Sequence, residues 1–138
     1  MKIRLDDVMQ SVSLPFHASY YYYIPLETVL MFVSGAIYGK SVNGISFEKD
    51  ILRHKEDFIK LPEIGEEGRE RVMMSFLASL GDEAVRTRLR EAAEKGVPYF
   101  EAMLTEERLL IRWYNYRDDI YMEFCRRWIK TNGLELIE

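Results

Sequence analysis

Histidine and cysteine side chains, which supply most metal ligands and nucleophiles in proteins, are scarce in this chain. His17 and His54 have no histidine or cysteine partner at the spacing of a metal site, and no HExxH-type helix is present. His54 does have Asp50, Glu56 and Asp57 nearby in the sequence, which would allow weak metal binding at a surface. We therefore expect neither a functional metal site nor a bound cofactor.

Patterns for nucleophilic catalysis and phosphate binding are incomplete. Cys125 is followed by two arginines, which can lower the pKa of a thiol, but no histidine lies beside it, so a buried structural thiol is favoured. The glycine-rich segment 35–44 contains Gly39-Lys40-Ser41, yet Ser34 stands where a P-loop requires its first glycine. We predict no catalytic residue, and whether the protein is an enzyme stays open.

One arginine stands out in segment 109–133, which has most of its apolar side chains on a broad arc of a helix. The helical angle places Arg117 within this arc, near Trp113, Tyr121 and Phe124. A guanidinium there must stack on a ring, pair with an acid or reach water along its stem. Two interpretations follow. One is a structural ion pair with an acid on a neighbouring helix, and the other is a ligand-binding site for an anion or peptide carboxylate.

The structural interpretation of Arg117 is favoured, because buried charges are normally paired. In that case a cation–π contact with an aromatic ring would accompany the ion pair. In the second interpretation, the ligand-binding residues are Arg117, Trp113 and Tyr121.

These residues depend on elements that the apolar pattern and the turn residues predict. In the N-terminal part, four consecutive tyrosines favour a strand, and the next apolar run makes an antiparallel hairpin with it. The predicted N-terminal elements are a helix over Leu5–Val12, strands over Ser19–Ile24 and Val29–Ser34, a short strand near Ala36, a helix from Glu48 capped by Ser46, and a strand over Phe58–Leu61. The predicted C-terminal elements are helices over Arg69–Leu80, Glu83–Lys95 and from Pro98, a long helix from Thr105 to Thr131, and a strand over Leu134–Ile137.

The tyrosine strand also offers a hypothesis about partners. An open edge would let it pair with a second copy of the chain or with an extended peptide. The alternative, which is favoured, is a strand packed beneath the helices. Tyrosines at successive positions point to both faces of a sheet, so both faces should be at least partly covered.

Composition restricts the compartment and the partners. A net charge of −4, with the acidic excess in residues 48–68, argues against nucleic acid as a partner. A single cysteine, the absence of a signal-like N-terminal segment and the absence of a membrane-length apolar run indicate a cytoplasmic protein with no membrane association.

The C-terminal segment resembles a known family. Trp113-Tyr114, Tyr116-Arg117-Asp118, Trp128-Ile129 and Asn132-Gly133-Leu134 reproduce the pattern of the bacterial uncharacterised protein family number 158. The hairpin connection and residues 35–47 depart from that family. The resemblance to this bacterial family implies a small cytosolic α+β domain and carries no catalytic residue with it.

Together these features predict an α+β fold in which a small antiparallel N-terminal sheet packs against a mostly helical C-terminal half. We expect a single domain over residues 1–138, with a helix, a hairpin and a short strand in 1–62 and with helices and a terminal strand in 63–138. The favoured function is a non-catalytic interaction module that binds a protein partner or forms a homo-oligomer. The alternative is a small-ligand or anion-binding protein, or an enzyme, with its site near Arg117.

Overall fold

The computed structural model describes residues 1–13 and 18–137. It confirms the α+β class, with a small antiparallel sheet in the N-terminal half and helices in the C-terminal half. The chain divides into two compact units. The sheet unit comprises Met1–Glu63 and Met122–Glu138, and the helical unit comprises Ile64–Tyr121.

Most predicted elements are present, with ends shifted by a few residues. The strands are β1 (Lys2–Arg4), β2 (Ala18–Tyr23), β3 (Thr28–Val33), β4 (Ala36–Ile37), β5 (Phe58–Lys60) and β6 (Glu135–Ile137). The α-helices are α1 (Leu5–Ser13), α2 (Glu66–Ala78), α3 (Glu83–Lys95), α4 (Val97–Glu106) and α5 (Leu110–Thr131). Short 3-10 helices cover Ile24–Leu26, Glu48–Arg53 and Lys55–Asp57.

The tyrosine strand lies inside a four-stranded antiparallel sheet with the order β4-β3-β2-β5. The hairpin pairs Tyr22 with Val29, and β5 pairs Ile59 with the same tyrosine from the other side. Both faces are covered as predicted, since Tyr20 and Tyr22 on one face and Tyr23 on the other are each at most 7% exposed. Aromatic and β-branched side chains favour this doubly covered position, because their rings and branches pack on both sides of the pleat.

The segment between β4 and β5 folds back over one face of this sheet. Its apolar side chains join those of the hairpin in a compact cluster that includes Tyr23, Phe32, Ile45 and Ile51. A short helix follows Phe47 as expected, but its predicted cap is wrong. The Ser46 hydroxyl hydrogen-bonds the hydroxyl of Ser41 at 2.6 Å, while the Asp50 carboxylate, inside the helix, accepts the backbone N–H groups of Ser46 and Phe47 just before it. These two backbone hydrogen bonds lower the pKa of Asp50.

A second, two-stranded sheet joins the N-terminal and C-terminal segments. The short strand predicted over Leu134–Ile137 is present as β6, and it pairs in parallel with β1. Ile3 lies opposite Leu136 in this pair and is 4% exposed. No pattern predicted β1, because three residues are too few to show an alternation.

The helical unit has its own apolar core. Two residues of α5 that precede Arg117, Trp113 and Tyr116, contact Phe76 of α2 with ring centroids 5.2 Å and 5.3 Å apart. Phe100 of α4 meets the Trp113 ring edge-on at 5.6 Å. The buried members of this core are Phe76, Leu77, Leu80, Leu89, Phe100, Leu104 and Trp113.

The start predicted for the long C-terminal helix is wrong. Thr105 is inside α4, where its hydroxyl donates to the carbonyl oxygen of Glu101, and α5 begins only at Leu110. The chain reverses at Arg108, which has a left-handed φ of 59°, and the Leu109 N–H closes the turn on the Leu104 carbonyl at 2.8 Å. Left-handed residues at helix ends are usually glycine, so an arginine there gave no signal.

Among the helices of residues 1–13 and 18–137, none combines the length and the apolarity needed to cross a bilayer.

Candidate anion site

Arg117 lies between the buried Trp113 and Tyr121 on α5, as the helical angle predicted. The third predicted neighbour, Phe124, is 39% exposed and lies outside this buried stripe. Trp113, Arg117 and Tyr121 follow one another at intervals of four residues, and both aromatic members are at most 7% exposed. The arginine side chain retains 30% exposure, which lets its guanidinium reach solvent while the stem lies along the apolar face.

The rings stacked on this guanidinium belong to Tyr114 and Tyr121. The Arg117 Cζ atom lies 4.9 Å from the Tyr114 ring centroid and 6.0 Å from that of Tyr121. Trp113 instead faces Phe76 and Phe100 in the core of the helical unit. The predicted cation–π contact is therefore present, and it holds the guanidinium over the two tyrosine rings.

The acid that pairs with Arg117 is the adjacent residue of the same helix. Nε and Nη2 of Arg117 both lie 3.0 Å from Oδ1 of Asp118. The expectation of an acid on a neighbouring helix is thus wrong. Two adjacent side chains on one helix turn form this pair without help from tertiary packing, and an ion pair this exposed contributes little to stability.

A second arginine reaches the same place from α2. The Arg69 side chain is a hydrogen-bond donor to the Tyr121 hydroxyl, and its charge acts on that group together with the charges of Arg117 and Asp118. Burial of the Tyr121 phenol is the largest effect and raises its pKa, while the two arginines oppose the rise. Two guanidiniums and one carboxylate thus act on one phenolic hydroxyl. The net charge of these three side chains is positive, and the Tyr121 hydroxyl can form hydrogen bonds beside them. Such an arrangement suits an oxyanion.

Sequence reasoning missed two members of this site. Tyr114 lies three residues before Arg117 on the same helix, so its contact follows from helical spacing and could have been predicted. Arg69 gave no signal, because it is one of several charged residues at the start of α2. Only the packing of α2 on α5 brings it to Tyr121.

The tyrosine strand does not provide the open edge considered above. β2 is hydrogen-bonded to β3 on one side and to β5 on the other, so its backbone groups are occupied over Tyr21–Tyr23. The neighbouring edge strand β5 has three residues and ends in Lys60, features that discourage strand addition.

His54 lies in a group of possible metal ligands on the surface of the sheet unit. His17 lies outside the described residues. The possible ligand atoms of His54, Glu56 and Asp57 lie within 4.8 Å of one another on a 3-10 turn. Asp50 is not part of this group, because its carboxylate accepts the backbone N–H groups of Ser46 and Phe47 instead. His54 and Glu56 are exposed and Asp57 is half-buried, so water competes freely for any ion.

Cys125 is the buried thiol that the sequence favoured. Its side chain is fully buried, and its Sγ atom lies 3.7 Å from the Met9 sulfur as a weak hydrogen-bond donor. Burial raises the pKa of this thiol to about 11. The two arginines that follow it are exposed, so they do not stabilise a thiolate.

We predict that Cys125 of the folded protein hardly reacts with iodoacetamide at neutral pH. A pKa of about 11 instead of 9.0 lowers the thiolate fraction about a hundredfold, and burial blocks the reagent as well. Mass spectrometry of the alkylated protein, with and without denaturant, measures the difference. Rapid labelling of the native protein at the rate of the denatured chain would contradict the buried position.

Comparisons with protein-family models, curated proteins and solved structures gave no match to this chain. The resemblance to family number 158 therefore stays a prediction.

Proposed function

We propose that the protein is a non-catalytic binding module and that the arginine pair Arg69–Arg117 is its recognition site for anionic groups. The observation that carries the proposal is that the side chains of Arg69 and Arg117 both act on the Tyr121 hydroxyl, while the ion pair with Asp118 is made by Arg117. A carboxylate or phosphate can accept hydrogen bonds from both guanidiniums and from the phenol. The tyrosine rings restrict the Arg117 guanidinium beforehand, which lowers the entropy cost of binding.

The site suits a terminal group better than an enclosed metabolite. Arg117 and Asp118 are 30% and 44% exposed, so a ligand at the guanidiniums stays in contact with water. A phosphate or carboxylate carried on a partner protein can approach such a surface, and this supports the interaction-module hypothesis.

Titration with inorganic phosphate at constant ionic strength, followed by NMR of the arginine Nε–H groups, tests the proposal. We expect saturable shifts for Arg69 and Arg117. Replacing either arginine with methionine should weaken phosphate binding about tenfold, the usual effect of losing one charge-assisted hydrogen bond. The matched control is Arg90→Met, which removes an exposed arginine of α3.

The variants remain interpretable because the fold should survive them. Loss of an exposed cation–π contact and of an ion pair between neighbours costs about 1 kcal/mol. Equal weakening by Arg90→Met, or shifts that never saturate, would mean that phosphate only screens charge. A large fall in melting temperature for Arg117→Met with unchanged phosphate affinity would make the arginine purely structural.

We further propose that the module works in the bacterial cytoplasm and associates with a protein partner or with a second copy of itself. Val97 and Tyr99 at the start of α4 are 68% and 59% exposed and offer apolar surface for such a contact. Light scattering at several protein concentrations tests the homo-oligomer, and a strictly monomeric protein would remove that part of the proposal.

A further inference from the structure

A groove of about 550 Å³ opens on the sheet unit, where the segment between β4 and β5 folds over the sheet. Tyr21, Phe47, Glu48 and Leu52 are among the residues that line it. The volume is in the range of sites for small organic ligands. The groove has an open mouth, because Phe47 and Leu52 are 49% and 69% exposed.

Tyr21 and Glu48 hold fixed positions in the groove. The Tyr21 hydroxyl donates to Oε1 of Glu48 at 2.7 Å, and its ring is held edge-on against Phe32 and Phe58 at 5.7 and 6.2 Å. The backbone N–H of Glu48 donates to the carbonyl oxygen of Gly35 at 2.8 Å. A rigid phenol therefore orients the carboxylate through its Oε1 atom.

The lining groups of the groove include the Glu48 carboxylate and the Lys49 ammonium. Burial, together with the negative charges of Glu48 and Glu63, raises the pKa of Tyr21 to about 12. The Lys49 ammonium makes a cation–π contact with one ring of the groove, since its Nζ atom lies 5.3 Å from the Phe47 ring centroid. The Phe47 ring thus accepts a cation in the protein itself.

We propose that this groove binds an alkylammonium group, with the Glu48 carboxylate as counter-ion and the rings of Tyr21 and Phe47 as the apolar walls. A carboxylate beside aromatic rings is the arrangement that recognises organic ammonium ions, because the rings attract the charge without competing for its hydrogen bonds. The Lys49 ammonium is an internal competitor that the ligand must displace from Phe47. The ligand group is either a free quaternary cation or the side chain of a lysine.

Two probes separate these sources. The free cation is tetramethylammonium and the lysine side chain is represented by N-acetyl-lysinamide, each titrated at constant ionic strength and followed by backbone amide NMR. Neopentyl alcohol, which has nearly the shape of tetramethylammonium but no charge, is the third probe. We expect tetramethylammonium, N-acetyl-lysinamide or both to shift the amides of Phe47, Glu48 and Leu52 saturably, with neopentyl alcohol binding more weakly.

Substitutions in the groove should change the affinity for the ammonium probes in opposite directions. Phe47→Leu keeps an apolar side chain but removes the ring, and it should weaken ammonium binding about two- to fivefold. Glu48→Gln keeps an acceptor for Tyr21 but removes the charge, and it should weaken binding about fivefold, the value of one unit charge at contact in water. Lys49→Met removes the competitor and should strengthen binding.

Matched controls remove the same charges outside the groove. Glu56→Gln should leave affinity nearly unchanged, and Lys130→Met, which removes an exposed lysine of α5, should strengthen binding less than Lys49→Met does. Equal binding of neopentyl alcohol and tetramethylammonium would overturn the proposal, because the groove would then recognise shape alone. Failure of both ammonium probes to saturate, or equal effects of Lys49→Met and Lys130→Met, would also overturn it. None of these results bears on the arginine pair, so this proposal and the proposed function can fail separately.

Discussion

Phe76→Ala should be among the most destabilising single substitutions in the helical unit, with a loss of about 3–5 kcal/mol in the free energy of unfolding. The Phe76 side chain is fully buried and contacts the rings of Trp113 and Tyr116 at 5.2 and 5.3 Å. Its removal leaves a cavity between α2 and α5 that neighbouring side chains fill only in part. Because both α2 and α5 carry an arginine of the candidate site, affinity for phosphate should fall as well.

Urea denaturation followed by tryptophan fluorescence measures this loss. Met74→Ala is the matched control, since Met74 is on the same helix but is 40% exposed, and we expect a change of about 0.5 kcal/mol or less. Similar losses for Phe76→Ala and Met74→Ala would show that Phe76 is not a central residue of this core.

Tyr22→Ala should have an effect of similar size in the sheet unit, about 3–5 kcal/mol, because the side chain is fully buried at the centre of the four-stranded sheet. Tyr22→Phe divides this effect into two parts. It keeps the ring but leaves the Lys2 carbonyl oxygen, which accepts the Tyr22 hydroxyl at 2.7 Å, without its partner. We expect a loss of about 1–1.5 kcal/mol from that hydrogen bond.

Hydrogen exchange locates the effect of Tyr22→Phe. The lost hydrogen bond anchors β1, so the amides of β1 and β6 should exchange faster, while those between β2 and β3 stay protected. Tyr38→Phe is the control, because Tyr38 is 73% exposed and its change should leave both stability and exchange unaltered. Unchanged exchange in β1 for Tyr22→Phe would mean that the hydroxyl does not stabilise this strand.

The sequence predicts the β-hairpin better than it predicts where helices begin and end. The hairpin followed from consecutive tyrosines and a second apolar run, because β-propensity and local pairing act over short distances. The break at Arg108 did not, since a left-handed arginine looks like any helical residue in the sequence. The contacts of Asp50 were likewise not predicted, because carboxylate, hydroxyl and backbone groups at residues 46–50 compete for the same N–H donors.

For the candidate site, the sequence predicts Arg117, which interrupts the apolar face of the helix, but it does not predict which residues lie beside Arg117 in the fold. Arg117 was identifiable because a charge within an aromatic arc violates the helical period. Asp118 is adjacent to Arg117 in the sequence, but no pattern distinguishes it from acids on other helices as the partner, and the position of Arg69 depends on helix packing that no local pattern encodes. The ammonium groove is harder still, because Tyr21 and Glu48 come from segments whose approach depends on the fold of residues 35–57.

The parallel pairing of β1 with β6 has a consequence for synthesis on the ribosome. Residues 64–121 form a contiguous unit, so their core can assemble as soon as α5 has begun to emerge. The sheet unit, by contrast, pairs Lys2 with Glu135, and β1 must wait for nearly the whole chain before its partner exists. Until β6 is available, β1 lacks its pairing partner and Ile3 lacks the residue opposite it, so codon changes that slow elongation after α5 should lengthen the time for which this apolar side chain stays uncovered.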